Sequence, residues 1–158
     1  MLVNCVAYQE GTKLKDIAKE DISEYVKRPD CFVWVGLKDP EPAELEEMRE
    51  EFGLHELAVE DARHGHQRPK IEEYGNSLFA VLQTIEIKDG EPRHGEVDIF
   101  VGPNYVLSVR LKTERGFADV RARCEREPHL LKHGAAYVFY ALMVAETIRL
   151  NSRMEVAP

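Results

Sequence analysis

A chain of 158 residues suits one domain that buries about 70% of its unfolded surface, so neither disulfides nor a structural metal is needed for a core. Its 29 acidic and 21 basic residues give a formal net charge of -8, with the basic residues scattered, which disfavours nucleic-acid binding because phosphate contact needs clustered Lys and Arg. The three cysteines, Cys5, Cys31 and Cys124, are odd in number, lack C-x-x-C spacing and sit in apolar contexts, so buried free thiols in a reducing cytosol are expected.

Leu2–Tyr8 reads as an opening strand, and its polar neighbours Asn4, Gln9 and Glu10 break any signal-peptide core. Asp16–Lys27, with Ile17, Ile22, Tyr25 and Val26, suits a short helix stopped by Pro29-Asp30. Cys31–Leu37 is a continuous apolar run of the kind found in an internal strand covered on both faces. Asp39-Pro40-Glu41-Pro42 then opens a helix, with Asp39 as a cap, and Leu45, Met48 and Phe52 share one face before Gly53 closes it. A second helix over His55–Ala62 is expected to bury Leu57, Ala58 and Ala62.

Lys70–Tyr74, Ser77–Ile87, Glu96–Val101 and Tyr105–Leu111 read as strands. Asp89-Gly90 supplies a hairpin turn between the second and third, and Gly102-Pro103-Asn104 a turn between the third and fourth. Phe117, Val120 and Cys124 lie on one helical face, ended by Glu127-Pro128, and Tyr137–Leu150 forms a last helix. The uncharged run Gly134–Ala145 is too short for a membrane span, which needs about 20 residues, and reads as a buried helix. Strands and helices mixed in this order predict an α/β fold, an α/β/α sandwich with a central mixed sheet of parallel and antiparallel strands.

Recognisable enzyme chemistry is absent from the pattern, and no catalytic residue is expected. No G-x-G-x-x-G, P-loop or G-x-S-x-G word occurs. His55-Glu56 lacks the zincin histidine, since Val59 stands at that position, although His64 and His66 in a turn could chelate a metal. The adjacent pairs Glu46-Glu47, Glu50-Glu51 and Glu72-Glu73 point apart and read as solvated surface. Asp61 differs, because it follows an apolar helix turn and precedes the basic word Arg63–Lys70. Mg²⁺ takes oxygen ligands, keeps several waters and often uses one or two carboxylates, so one Asp is too little for a tight site but enough for half of a weak one. The competing expectation is an ion pair between Asp61 and Arg63 or Arg68.

The order of residues is more specific than any single motif. Trp34-Val35-Gly36-Leu37, the spacing from Leu45 to Phe52-Gly53-Leu54-His55, and Leu57-Ala58-Val59-Glu60-Asp61 followed by His66-Gln67-Arg68-Pro69-Lys70 resemble the cytoplasmic N-terminal domain of the CorA family of divalent-cation transporters. The resemblance continues through Glu72–Tyr74, Leu78–Leu82, Val97–Gly102, Asn104–Val109 and Tyr137–Leu142, and so spans roughly residues 31 to 142. It implies a CorA-like α/β/α domain over residues 1–142, with residues 143–158 as the end of the last helix and a tail. It also implies a homopentameric Mg²⁺ and Co²⁺ channel, in which this domain lies at the cytoplasmic face of the membrane. Regulatory divalent cations, weakly held between neighbouring subunits, would then favour the closed assembly. The resemblance assigns the metal-binding role to Asp61, with Glu60 beside it, and places the partner carboxylate on the stalk helix of the adjacent subunit.

The sequence departs from the family in two places. The stalk, both membrane helices and the Gly-Met-Asn pore motif do not occur before Pro158, so this stretch alone is not expected to conduct ions. Val144 and Ile148 stand where the family carries acids. The first reading is therefore a cation-sensing regulatory domain. A free-standing cytosolic binding or oligomerisation module of the same fold is second, and a metal-dependent hydrolase third.

Overall fold

The computed structural model describes residues 1–156. Seven strands form one sheet in the order β2-β1-β3-β7-β6-β5-β4. They are β1 (Leu2–Gln9), β2 (Thr12–Asp16), β3 (Cys31–Lys38), β4 (Lys70–Tyr74), β5 (Ser77–Lys88), β6 (Glu91–Val101) and β7 (Tyr105–Leu111). β3 and β7 run parallel, and the other neighbours are antiparallel, so the expected mixed sheet is what forms.

Alternation along β3 explains its unbroken apolar run. Val33, Val35 and Leu37 enter the core on one face, while Phe32 and Trp34 enter the core on the other. The first face is covered by α1 (Ile22–Val26), α2 (Pro42–Phe52) and α3 (Glu56–His64), through Ile22, Tyr25, Leu45, Met48, Ala58, Val59 and Ala62. The second is covered by α4 (Ala118–Glu125), α5 (Pro128–Leu131) and α6 (Ala135–Val156), through Val120, Cys124, Leu131, Ala135, Val138 and Leu142. The three layers are those of an α/β/α sandwich.

Local chemistry differs from expectation in several places, among them a β6 that starts at Glu91 rather than Glu96 and an α5 not expected at all. Glu10 and Gly11 take positive φ and turn the chain back, so Thr12–Asp16 is an edge strand; the helix expected from Asp16 shrinks to a 3-10 turn at Lys19–Asp21 and α1. The cap of α2 is Glu41, whose N–H donates to Glu44 Oε1 at 3.0 Å, whereas Asp39 holds the β3 end. Leu57 is 58% exposed, because α3 turns Ala58, Val59 and Ala62 inward instead. α6 runs to Val156, six residues past the expected end at Leu150, while Ala157 and Pro158 of the expected tail lie outside the described residues. Gly53 does take the left-handed position, φ 67°, and Cys5, Cys31 and Cys124 are buried free thiols. Burial pushes the Cys5 thiol up to about 12 and Cys124 up to about 11, which keeps both protonated and unreactive.

Candidate functional site

α3 is positioned from both ends. At its start, His55 Nδ1 accepts the Leu57 N–H at 3.1 Å, and the His55 ring stacks on Tyr74 of β4 with centroids 4.1 Å apart. At its end, Gly65 takes φ 68° and its N–H donates to the Asp61 carbonyl at 2.9 Å. Gln67 then clamps the connecting loop to the sheet: its N–H donates to Glu96 Oε1 at 2.9 Å, and its carbonyl accepts from Gln83 Nε2 at 2.6 Å. With the loop fixed, the first residue of β4, Lys70, comes to lie beside the last turn of α3.

Glu60 and Asp61 diverge because neighbours on a helix point about 100° apart. Glu60 is turned to solvent, with His64 Nε2 3.6 Å from its carboxylate. Asp61 is turned toward β4, where Lys70 Nζ donates to Asp61 Oδ2 at 2.7 Å. Glu72, two residues along the same strand face, brings a second carboxylate to 2.7 Å from that ammonium. The Asp61 and Lys70 side chains are 29% and 30% exposed, so the pair sits at a rim rather than inside the core. Both carboxylates hold the Lys70 ammonium above its ordinary value, Asp61 first. The expected ion pair of Asp61 thus forms with Lys70, not with Arg63 or Arg68, and Glu72 is an ion-pair partner rather than solvated surface. Alternation through Lys70-Ile71-Glu72 carries the signal for this arrangement.

Behind the rim lies a carboxyl that the sequence reading passed over. Asp98 is fully buried on the α3 face of β6, aligned through Val81 with Lys70, and both its oxygens lack a hydrogen-bond partner among the described residues. Burial pushes Asp98 up to about 9, reinforced by the neighbouring Glu96 carboxylate on the same strand. At neutral pH Asp98 is therefore a neutral acid beside Glu96, while Glu96 holds the loop through Gln67. The word Val97-Asp98-Ile99-Phe100, one charge in an apolar strand, was the available clue.

Among the described residues no group of three or more His, Cys, Asp or Glu side chains is placed to hold a metal ion. His64 and Glu60 approach to 3.6 Å, but His66 and Asp61 do not join them in one group. Asp61 offers at most one carboxylate, already engaged by Lys70, so a divalent cation there would need ligands from outside this chain.

A family profile described as "CorA-like Mg2+ transporter protein" matches residues 30–157. The chain belongs to this family. Among curated relatives, YfjQ of Bacillus subtilis (strain 168), a candidate metal ion transporter, is 36% identical over 121 residues, covering 76% of this chain and 37% of its own length. The cobalt/magnesium transport protein CorA of Thermotoga maritima is 33% identical over 104 residues, covering 64% of this chain and 30% of its own length. The chain thus spans about a third of the length of these relatives. In fold it is similar to full-length CmaX, with a TM-score of 0.77 at 20% identity over 98% of this chain and 47% of that one. The soluble domain of CorA from Methanocaldococcus jannaschii gives 0.61 at 17% identity over 98% of this chain and 60% of that one. Among the described residues no helix is long and apolar enough to cross a membrane.

Proposed function

We propose that this chain is the cation-sensing regulatory domain of a CorA-like Mg²⁺ and Co²⁺ transporter, held at the cytoplasmic face of the membrane in a homopentamer. The observation that supports it is the placement of Asp61. Its carboxylate stands at the rim of the α/β/α domain, 29% exposed, at the end of a helix fixed by His55, Gly65 and Gln67. Asp61 would supply one oxygen ligand, with water completing much of the shell and a neighbouring subunit supplying the opposing carboxylate. Neutralising two carboxylates that otherwise repel would favour the closed assembly. Glu60, turned toward His64, would add negative potential rather than a direct ligand.

One observation favours the second reading, a binding or oligomerisation module of this fold without metal regulation. The charge of Asp61 is already balanced by Lys70 at 2.7 Å. Titrating the chain with Mn²⁺ and following paramagnetic broadening of its amide signals separates the two. Broadening centred on Asp61 and lost in Asp61→Ala supports the sensing role. Broadening that ignores Asp61, together with an unchanged Mg²⁺ response of Asp61→Ala in a chimera carrying the stalk and pore, leaves the module.

A further inference from the structure

Among the described residues, the one parallel pair of neighbours, β3 and β7, sends its chains to opposite faces of the sheet. β3 leads into α2, whose Leu45 and Met48 pack on the first face, and β7 leads to α4, whose Val120 and Cys124 pack on the second. Where adjacent parallel strands part in this way, a crevice opens beyond their carboxyl ends, and open α/β sheets bind ligands there. In this chain the crevice starts at Asp39, after β3, and Lys112, after β7. The Lys112 N–H donates to Asp39 Oδ1 at 2.9 Å, and the Asp39 N–H donates to the Arg110 carbonyl at 2.8 Å. Two adjoining cavities of about 310 and 780 Å³ open at this point, both lined by Asp39, His94 and Lys112.

The backbone is strained at the same place. Glu10 and Asp89, two of the non-glycine residues at positive φ, belong to hairpin turns that require it. The other three among the described residues, Asp39 at 41°, His66 at 56° and Lys112 at 55°, all line the smaller cavity. Strain of this kind persists only where the surroundings impose it, and it gathers at ligand sites.

The charges are sorted as well. Each acid that lines the crevice already has a local donor. Asp39 accepts from Lys112 N–H, Glu86 accepts the Glu114 and Arg115 N–H groups at 2.9 Å each, Glu96 accepts the Gln67 N–H at 2.9 Å, and Glu114 pairs with Lys38 at 3.0 Å. The cations are left over. Arg63, Lys88, Arg93 and Lys112 line the cavities, and their side chains make no ion pair or hydrogen bond among the described residues. The acids keep their charge but have oxygens engaged, so the unengaged donors of the cleft, four cationic side chains, are what it presents to an anion.

We infer that the crevice beyond the carboxyl ends of β3 and β7 is a binding site for a small phosphate-bearing anion, held by Lys112, Arg93 and Arg63, with His66 and His94 at its mouth. The phosphates lie where the two cavities adjoin, at Lys112 and His94, with Arg63 on the side of the smaller and Arg93 on the side of the larger, which has room for the rest of the ligand. Inorganic pyrophosphate and the triphosphate of a nucleotide share this chemistry.

The test is calorimetric and NMR titration of the full 158-residue chain with pyrophosphate and, separately, ATP, in EDTA and at low salt. EDTA removes divalent cations, so the result does not depend on the sensing role of Asp61. Saturable binding is expected, with amide shifts centred on His66, His94 and Lys112. Equal affinity for both probes assigns the site to the phosphate chain alone, and tighter ATP binding brings in the larger cavity. Lys112→Glu and Arg93→Glu should each weaken binding by about tenfold or more. Lys27→Glu and Arg123→Glu, the same charge change on exposed cations elsewhere, should leave it within about twofold. No saturation up to about 10 mM of either probe, or equal weakening by the remote variants, overturns the proposal.

Discussion

Asp61 and Lys70 face one another across the loop that joins α3 to β4, with Oδ2 and Nζ 2.7 Å apart and Glu72 sharing the same ammonium. The two side chains are a little less than one third exposed, so their attraction is screened but not abolished. Replacing Asp61 by Asn should cost about 1–2 kcal/mol in urea unfolding, between the range for exposed pairs and that for buried ones. A double-mutant cycle with Lys70→Met should return a coupling of about 1 kcal/mol. Lys70 is held above its ordinary 10.5, so its contribution is complete at neutral pH and fades only as pH rises past that value.

Asp98 predicts a second pH dependence, with the opposite chemical group and the same sign. Its carboxyl is pushed from 3.8 up to about 9, so the folded state binds this proton more tightly than the unfolded chain does. Stability from Asp98 is therefore complete below about pH 4, falls as pH rises, and stops falling near pH 9. Asp98→Asn keeps the shape of the side chain and cannot ionise. Urea unfolding at pH 5, 7 and 9 should show the variant gaining on the parent at each step, by about 2 kcal/mol or more at pH 9. A constant difference across that range would mean that Asp98 is already ionised.

The layers were legible in the sequence because their signals are local and strong. Cys31–Leu37 is apolar on both faces, Asp89-Gly90 marks a hairpin, and Phe117, Val120 and Cys124 keep helical spacing; each appears where expected. What was missed depends on pairing across the chain. Glu10-Gly11 has the same turn chemistry as Asp89-Gly90, but the Thr12–Asp16 strand that it creates is exposed throughout, with no apolar face to announce it. Lys70 was hidden as the partner of Asp61 because the loop that brings it there is fixed by Gln83 and Glu96, from strands further along. Asp98 was overlooked because a single buried acid has no periodicity. Its position on the α3 face follows from alternation only once β6 is known to be central.

Gly11 tests the docking of the first hairpin. It takes φ 86°, and a Cβ there would lie 2.4 Å from the Pro128 carbonyl oxygen and 3.0 Å from the Lys132 amide nitrogen, both backbone atoms of the α5 region. Gly11→Ala therefore combines left-handed strain with a clash that no side-chain rotation relieves. A loss of about 2–4 kcal/mol is expected, measured by urea unfolding. Gly90→Ala is the control, since Gly90 has φ 77° but open space around its Cβ position, and should cost only about 1 kcal/mol.

Gly95 tests the packing beneath the crevice without any contribution from positive φ. A Cβ at this position would meet Thr113 Oγ1 at 2.3 Å, the Lys112 carbonyl oxygen at 2.7 Å and Thr84 Oγ1 at 2.7 Å. Thr84 and Thr113 are hydrogen-bonded to each other at 2.7 Å and buried, so neither hydroxyl can swing away without losing its partner. Gly95→Ala should thus destabilise by about 1–3 kcal/mol through overpacking. Adding Thr113→Ala removes the nearest oxygen but leaves the Lys112 carbonyl in place, so the double variant should recover only part of the loss. Full recovery would mean that the backbone of Lys112 yields freely, and a shift of the Lys112 amide signal in Gly95→Ala alone would report the same movement directly. With Lys112 held at φ 55° by its bond to Asp39, the expected result is partial rescue.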